Sequence, residues 1–291
     1  MTGFVHRTWS SADGLVLHAR DYAGAGGEAK LPVLCLHGLT RNAADFEALA
    51  PWIAATGRRV LAVDFRGRGR SAWDPTPTNY LPTFYAADVL ALMDAAGISR
   101  AVFVGTSLGG IVTMLLAATR PAAVAGAVLN DIGPSIAPEG LARISGYTGV
   151  PAATRNWSEA AAYARAINAV AFPAYGEADW MAFARRLFAE GPDGAIRLAY
   201  DPDIAVPLAA AAAAGAAAPD LTPLFLGLAT GRPLLLVRGG LSDIVDAPRA
   251  VQMRALAPAM AYAEVEGVGH APMLDEPEAL AALAAFLAEA P

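Results

Sequence analysis

The sequence predicts an α/β fold with a mostly parallel central sheet flanked by helices. Short apolar runs that read as buried strands alternate with segments of helical period, a pattern typical of βαβ units. The chain has 291 residues, of which 55% are hydrophobic and 16% charged, so it can bury a large core. The low charged fraction also argues against intrinsic disorder.

The predicted elements follow one another regularly in the first half of the chain. Asp13-Gly14 separates two β-like runs, Phe4 to Trp9 and Leu15 to Arg20, and predicts an N-terminal β-hairpin. Buried strands and helices then alternate. We predict strands at 32–37, 59–65, 101–106 and 124–130, and helices at 45–55, 83–96 and 108–119.

The alternation stops after Asp131. From 133 to 223 the segments have helical periodicity and no clear buried strand, which predicts a helical cap, or lid, inserted into the fold. We therefore expect a core domain made of 1–132 and 224–291, with the cap at 133–223. The βα pattern resumes with strands at 233–238 and 259–266 and helices at 248–256 and 276–289.

The segment Gly105-Thr106-Ser107-Leu108-Gly109 gives the clearest indication of chemistry. It lies between a predicted strand and a predicted helix, which is the context of a nucleophile elbow. A serine in that position occupies a strained turn that projects its hydroxyl outward. Glycines at 105 and 109 let the strand and the helix approach without a side-chain clash. The alternative interpretation is that Ser107 is a simple helix N-cap.

A serine nucleophile needs a general base, and the base needs an acid that orients it. His270 follows the strand at 259–266, and Asp243 follows the strand at 233–238. Loops after parallel strands meet at the carboxyl edge of the sheet, where α/β proteins place their sites. The order Ser107, Asp243, His270 is one of the known chain orders of a catalytic triad.

The sequence offers more than one candidate for the acid of this triad. Asp243 is the preferred residue, but Asp246 lies three residues further on, and Asp131 follows the strand at 124–130. Either could serve as the acid. His270 has its own alternative interpretation as a surface loop histidine.

A tetrahedral intermediate also needs two backbone N–H groups that bind its oxyanion. Leu108, the residue after the nucleophile, is expected to supply one of them. Leu39, in the loop after the strand at 32–37, is expected to supply the other, with Thr40 as the alternative. Gly38 allows a tight turn there, and His37 is expected to order that loop rather than to act as a second base.

Five segments together resemble the α/β-hydrolase family whose members carry an inserted helical cap. They are His37-Gly38, the segment 64–71, the elbow 105–110, Ser242-Asp243 and Gly269-His270. The resemblance covers nearly the whole chain and is weakest in the cap. It implies a serine hydrolase, and a structural role for the Gly- and Arg-rich segment 64–71 instead of a phosphate site. The predicted mechanism requires no metal or organic cofactor, and the His, Cys and acidic residues show no metal-ligand spacing.

The residue at the elbow narrows the reaction. Haloalkane dehalogenases and epoxide hydrolases of this superfamily use an aspartate there, whereas a serine attacks a carbonyl carbon. We therefore predict hydrolysis of a small carboxylic ester or lactone. One alternative is a C–C bond hydrolase acting on vinylogous diketones, although Ala271-Pro272-Met273 lacks the tryptophan that follows the histidine in many such enzymes. The other alternative is a ligand-binding module with little turnover.

Composition limits the partners and the compartment. The net charge is −6 and basic residues form no run, so nucleic-acid binding is not expected. The single cysteine, Cys35, lies in an apolar strand and indicates a buried core residue and a cytoplasmic protein. No signal peptide or membrane span is expected, because the most apolar stretch, 204–218, is short and interrupted.

The cap sequence bears on the substrate in two ways. Its aromatic residues predict an apolar pocket for a small hydrophobic substrate, although some of them must form the core of the cap itself. An arginine turned inward would instead favour a substrate with a carboxylate. The arginines considered for that role are Arg143, Arg155, Arg165, Arg185 and Arg186.

Overall fold

The computed structural model describes residues 3–26, 30–152, 154–216 and 218–291. These residues form an eight-stranded sheet with helices on both faces and a separate two-stranded hairpin, which confirms the predicted α/β class. The strands are β1 (Val5–Ser10), β2 (Val16–Tyr22), β3 (Val33–Leu36), β4 (Val60–Asp64), β5 (Ala101–Thr106), β6 (Val124–Asn130), β7 (Phe188–Glu190), β8 (Ile196–Leu198), β9 (Leu234–Gly239) and β10 (Ala261–Val265).

The order of strands in the large sheet is β1-β2-β4-β3-β5-β6-β9-β10. The β1–β2 and β2–β4 pairs are antiparallel, so the predicted N-terminal hairpin is confirmed. All other pairs are parallel. The carboxyl ends of β3, β5, β6, β9 and β10 therefore lie along one edge of the sheet, which we call the catalytic edge.

The helices pack on the two faces of the sheet or lie between β6 and β9. They are α1 (Leu49–Ala54), α2 (Pro82–Ala95), α3 (Leu108–Thr119), α4 (Pro138–Tyr147), α5 (Trp157–Asn168), α6 (Glu177–Leu187), α7 (Val206–Ala213), α8 (Thr222–Ala229), α9 (Ala247–Leu256) and α10 (Pro277–Glu289). Short 3₁₀ turns occur at Ala43–Phe46, Pro77–Asn79, Pro121–Ala123 and Pro202–Ala205. Among the helices of the described ranges, none is both long and apolar enough to cross a bilayer.

The helix predicted at 45–55 is broken into the 3₁₀ turn Ala43–Phe46 and the short helix α1. A continuous helix would need the N–H of Pro51 to donate to the carbonyl of Glu47, and proline has no N–H. Asn42 instead begins the 3₁₀ turn, since its side chain accepts a hydrogen bond from the Ala44 N–H.

The sheet is buried on both faces, which explains why its strands read as continuous apolar runs. In β5, Phe103 belongs to the core cluster that includes α2 and α3, while Val102 and Val104 belong to the cluster that includes α1 and α10. Successive side chains of a strand point to opposite faces, so both faces need apolar residues here.

Between β6 and β9 the chain forms α4 to α8 and the hairpin β7–β8, which we call the inserted region. Its helices follow the predicted pattern, but the hairpin was not predicted. Its strands have three residues each, too few to show a β alternation. The last helix, α8, packs against α3 of the core, so the predicted boundary at 223 falls inside a helix that belongs with the core.

Candidate active site

Ser107 lies at the turn between β5 and α3, with φ 51° and ψ −114°. Positive φ is strained for a residue with a side chain, so the expected strain of the elbow is confirmed. Backbone hydrogen bonds hold the turn: the Ser107 N–H donates to Asn130 O (3.0 Å), and the Gly110 N–H donates to Ser107 O (2.9 Å). The Ser107 side chain makes no helix-capping bond, which excludes the N-cap interpretation.

The glycines of the elbow permit a very close approach of strand and helix. A Cβ on Gly105 would lie 2.5 Å from Gly109 O, and a Cβ on Gly109 would lie 2.0 Å from Leu36 O. Real Cβ atoms do not approach a carbonyl oxygen so closely. The predicted reason for glycine at 105 and 109 is therefore confirmed.

A chain of hydrogen bonds runs from Ser107 through His270 to an aspartate. His270 Nε2 lies 2.9 Å from Ser107 Oγ, and His270 Nδ1 lies 2.8 Å from Asp131 Oδ2. Because a carboxylate only accepts, Nδ1 carries the proton and Nε2 is free to accept from the serine hydroxyl. Asp131 is 0% exposed, and its Oδ1 accepts from the Gly239 N–H (3.1 Å).

The prediction that Asp243 orients His270 is wrong in this structure. Both carboxylate oxygens of Asp243 accept from Arg143 of α4, at 2.6 Å from Nε and 2.8 Å from Nη2. Burial raises the pKa of Asp243, but the hydrogen bonds from Arg143, its charge and the charge of His270 together outweigh burial and hold that pKa below its usual range. Asp243 is thus an ionised partner of the inserted region.

The order of the strands explains why Asp131 reaches the histidine. β6 is the neighbour of β5, which carries the nucleophile, whereas β9 is one strand further away. Asp131, one of the two alternatives, comes directly after β6 and also has positive φ (54°). The other alternative, Asp246, is the N-cap of α9 and accepts from the Arg249 N–H.

The loop after β3 passes beside the nucleophile. A Cβ built on Gly38 would lie 3.8 Å from Ser107 Cβ, so the segment that contains Leu39 borders the serine. Arg68, which is 0% exposed, donates from Nε to Leu39 O (3.0 Å) and fixes the orientation of the peptide after Leu39. Leu108 is the first residue of α3, where a helix leaves its N–H groups without intrahelical partners. The two oxyanion donors stay a prediction.

His37 orders the same loop, as expected from the sequence. Its Nδ1–H donates to Gly38 O (2.7 Å), and its Nε2 accepts from the Phe65 N–H (3.1 Å). Complete burial lowers the pKa of His37 to about 4, against an ordinary value of 6.5. The ring is therefore neutral near pH 7 and both of its nitrogens are used structurally.

The arginines of the segment 64–71 are structural too. The buried Arg66 guanidinium binds the carboxylates of Asp13, Asp74 and Asp88. Arg68 also donates to Tyr85 Oη at 2.8 Å. These bonds agree with the structural role that the family resemblance implied for this segment.

Asn130 is a positioning residue that the sequence did not reveal. Its Nδ2 donates to Thr106 Oγ1 (3.0 Å) and to Pro272 O (2.8 Å). It thereby joins the elbow, the end of β6 and the loop of His270. Nothing in the sequence distinguishes it from other polar residues after a strand, because its partners are distant in the chain.

A pocket opens above Ser107 and His270, and the inserted region supplies much of its wall. Three aromatic residues of that region, Tyr147, Phe172 and Phe183, line the pocket. The other lining residues are Gly38, Leu39, Thr40, Arg41, Asp45, Phe46, Thr106, Ile144, Ile167, Asn168, Leu187, Ala271, Pro272 and Met273. The wall is thus mainly apolar, with a few polar groups.

Several other aromatic residues of the inserted region pack within it. Trp180 is buried against Phe172 and Phe183, for example. Of the arginines considered in the sequence, Arg143 binds Asp243, Arg155 binds Glu159, and Arg185 stacks on Trp157. The arginine in the pocket wall is Arg41, from the loop after β3.

The profile of the alpha/beta hydrolase family matches residues 33–283. The chain belongs to the α/β-hydrolase family. A 3-hydroxybutyrate-oligomer hydrolase from Cupriavidus necator is 33% identical over 269 residues, 91% of each chain. The crystal structure of an α/β-hydrolase from Novosphingobium aromaticivorans is 44% identical, covers 99% of both chains and superposes with a TM-score of 0.91.

A further solved structure shows the same fold at lower identity. The E-2-(acetamidomethylene)succinate hydrolase is 24% identical, covers 97% of both chains and has a TM-score of 0.79. Membership of the α/β-hydrolase family makes this protein a hydrolase, and the fold is shared over nearly the whole chain.

Proposed function

We propose that the protein is a serine hydrolase that cleaves a small carboxylic ester or lactone through an acyl-enzyme. The observation that carries this proposal is the hydrogen-bond chain Ser107–His270–Asp131, with 2.9 Å and 2.8 Å between its polar atoms. These are the distances that a nucleophile, its general base and an orienting acid require.

In the first half of the reaction, Ser107 Oγ attacks the ester carbonyl carbon while His270 Nε2 takes the hydroxyl proton. Asp131 keeps the proton of the imidazole on Nδ1 and stabilises the imidazolium. As the C–O bond of the ester breaks, His270 gives its proton to the leaving alcohol. Water then attacks the acyl-enzyme in the same way, with His270 as base and Ser107 as leaving group.

The developing oxyanion needs donors on the side of Ser107 that faces the loop after β3. We assign the Leu39 and Leu108 N–H groups to this role. The support is that Gly38 approaches Ser107 closely and that Leu108 begins α3. The positive end of the helix dipole favours negative charge at the same place.

The pocket and the relatives bear on the substrate. The mainly apolar lining supports a small, predominantly hydrophobic acyl or alcohol portion. The relative from Cupriavidus necator acts on 3-hydroxybutyrate oligomers, which are linear esters. We therefore propose short esters of hydroxy acids as the first substrates to test.

The test is Ser107→Ala, assayed with 4-nitrophenyl butyrate and with the linear dimer of 3-hydroxybutyrate. We expect kcat/KM to fall about 10⁴-fold or more, because the nucleophile is lost while the pocket stays intact. Ser158→Ala, at an exposed serine of α5, is the matched control and should hydrolyse both esters at the unchanged rate. Retained turnover in Ser107→Ala would refute the mechanism. A single stoichiometric burst without turnover in the unmutated protein would favour a ligand-binding module.

A further inference from the structure

We propose that Arg41 binds a carboxylate of the substrate, so that the preferred ester carries a free carboxylate group near the scissile bond. This inference rests on the proposed ester hydrolysis and names the substrate class more closely. Arg41 has no part in the catalytic steps derived above. It is a charged side chain in a mainly apolar wall, and its pairing with Asp45 uses only one edge of the guanidinium.

Arg41 lies close to the nucleophile. It follows the proposed oxyanion donor Leu39 by two residues and lines the same pocket as Ser107 and His270. Its Cγ would be 3.5 Å from a Cβ on Gly38, and that Cβ would be 3.8 Å from Ser107 Cβ. The base of the Arg41 side chain is therefore close to the ester under attack, and a group bound by its guanidinium would occupy the same pocket.

The guanidinium is held in one orientation. Asp45 accepts from Nε and from Nη2 and so occupies one edge of the planar group. The ring of Phe183 lies 4.1 Å from the guanidinium carbon and covers one of its faces. The side chain of Arg41 is 13% exposed. A side chain fixed in this way loses little entropy when it binds a ligand.

One edge of the guanidinium stays available. Within the described part of the chain, the hydrogen bonds of Arg41 involve Nε and Nη2 but not Nη1. The edge formed by Nη1 and the second N–H of Nη2 is a two-pronged donor, which matches the two oxygens of a carboxylate. A neutral alcohol or ether would use only one of these donors.

The presence of Asp45 does not prevent a second carboxylate from binding. Elsewhere in the same protein the Arg66 guanidinium binds three carboxylates, those of Asp13, Asp74 and Asp88. Near Arg41, the phenol of Tyr147 lies within the influence of both Arg41 and Arg143. Arg143 is itself paired with Asp243, so it adds little net positive potential there, and recognition of a carboxylate would rest on Arg41.

The experiment compares two esters of similar length, the monoester 4-nitrophenyl hydrogen glutarate, which carries a carboxylate, and the neutral 4-nitrophenyl pentanoate. In the unmutated protein we expect the lower KM for the carboxylate ester. Arg41→Gln should lower kcat/KM for the carboxylate ester about tenfold more than for the neutral ester, mainly through KM. Arg41→Lys keeps the charge but lacks the two-pronged donor. Its loss of kcat/KM for the carboxylate ester should be smaller than that of Arg41→Gln.

Arg185→Gln is the matched control, because it removes an exposed arginine of α6 that stacks on Trp157. It should leave the ratio of the two esters unchanged. Glutarate provides a second measurement: it should inhibit hydrolysis of the neutral ester competitively, with an inhibition constant about tenfold higher in Arg41→Gln. This inhibition can also be measured in Arg41→Lys if Arg41→Gln fails to fold.

An equal loss for both esters in Arg41→Gln, or glutarate inhibition that is insensitive to Arg41, would overturn the inference. A strong preference of the unmutated protein for the neutral ester would overturn it too. In each of these cases, hydrolysis of the neutral ester that depends on Ser107 would leave the proposed function standing. Activity that survives Ser107→Ala would instead refute the proposed function itself.

Discussion

The loops after β6 and β9 both carry an aspartate at the catalytic edge, yet the two are held very differently. Asp131 is 0% exposed and bound on one oxygen by the Gly239 N–H and on the other by His270. The side chain of Asp243 is 29% exposed and bound by Arg143 of the inserted region. A backbone donor holds the first carboxylate against the sheet, whereas the partly exposed side chain of Arg143 holds the second.

The difference indicates that an aspartate orients a histidine through its position and rigidity rather than through charge alone. Both carboxylates are available at the same sheet edge. Only Asp131 combines a hydrogen bond to His270 with a backbone donor from the neighbouring strand. Substitutions on the sheet side of the site should therefore have large effects on kcat or on the free energy of unfolding. Substitutions on the side of the inserted region should have small effects.

Asp131→Asn is expected to have the largest effect on activity of the substitutions that test this comparison. The amide cannot enforce the Nδ1–H tautomer of His270, so we expect kcat to fall about 10³- to 10⁴-fold. Steady-state hydrolysis of 4-nitrophenyl butyrate measures this loss. Asp243→Asn is the matched control and should lower kcat by less than about tenfold. If the two variants lost activity in the reverse order, the assignment of the acid would have to change.

Gly109→Ala tests whether the close approach of the α3 backbone to β3 is what holds the sheet side of the site in place. The new methyl group would lie 2.0 Å from Leu36 O, a contact that only a shift of α3 or β3 could relieve. We expect a loss of at least about 3 kcal/mol in the free energy of unfolding. Urea denaturation followed by circular dichroism measures it.

Gly227 in α8 provides the matched control, because a Cβ there would meet nothing within 4 Å. Gly227→Ala should stabilise the protein by about 0.5–1 kcal/mol, since alanine is the better helix former. Equal stability of the two alanine variants would contradict the argument from close approach.

The burial of His37 predicts a pH dependence of stability on the sheet side. Its pKa is about 4 in the folded protein and about 6.5 when unfolded, so the unfolded chain takes up a proton first as the pH falls. The contribution to the free energy of unfolding is complete above pH 6.5 and decreases as the pH falls, so that about 3 kcal/mol is lost by pH 4.

Urea denaturation at pH 7 and pH 4 measures this contribution, with His37→Gln as the comparison. The variant is less stable at pH 7, but its loss of stability between the two pH values should be about 3 kcal/mol smaller. The same pH dependence in both proteins would show that other groups cause it.

The sequence predicted the parts that depend on local pattern. The bounds of β5, α3 and β6 agree with the predicted 101–106, 108–119 and 124–130, because buried strands and a helix after an elbow leave strong local signals. The proximity of His270 to Ser107 also followed from their positions in loops after parallel strands, which meet at one edge of the sheet. Such features need only the alternation of elements and the edge at which parallel strands end.

The features that sequence reasoning missed depend on contacts between distant side chains. Asp131 and Asp243 both follow buried strands. Only the fold shows that Arg143, a hundred positions before Asp243, binds the Asp243 carboxylate. The position of Arg41 in the pocket likewise depends on Asp45 and Phe183 together. Side-chain partners of this kind leave no periodic signal in the chain.

The smallest expected effect concerns the Arg143–Asp243 pair itself. The side chains are 21% and 29% exposed, so water screens their attraction, and the loss of one partner leaves a charge that solvent can reach. A double-mutant cycle of Arg143→Gln and Asp243→Asn, followed by urea denaturation, should give a coupling of about 1 kcal/mol. The kcat of each variant should remain within about tenfold of the unmutated value. A coupling above about 3 kcal/mol, or a collapse of kcat in Arg143→Gln, would mean that this bridge fixes the catalytic edge as firmly as the backbone donor to Asp131 does.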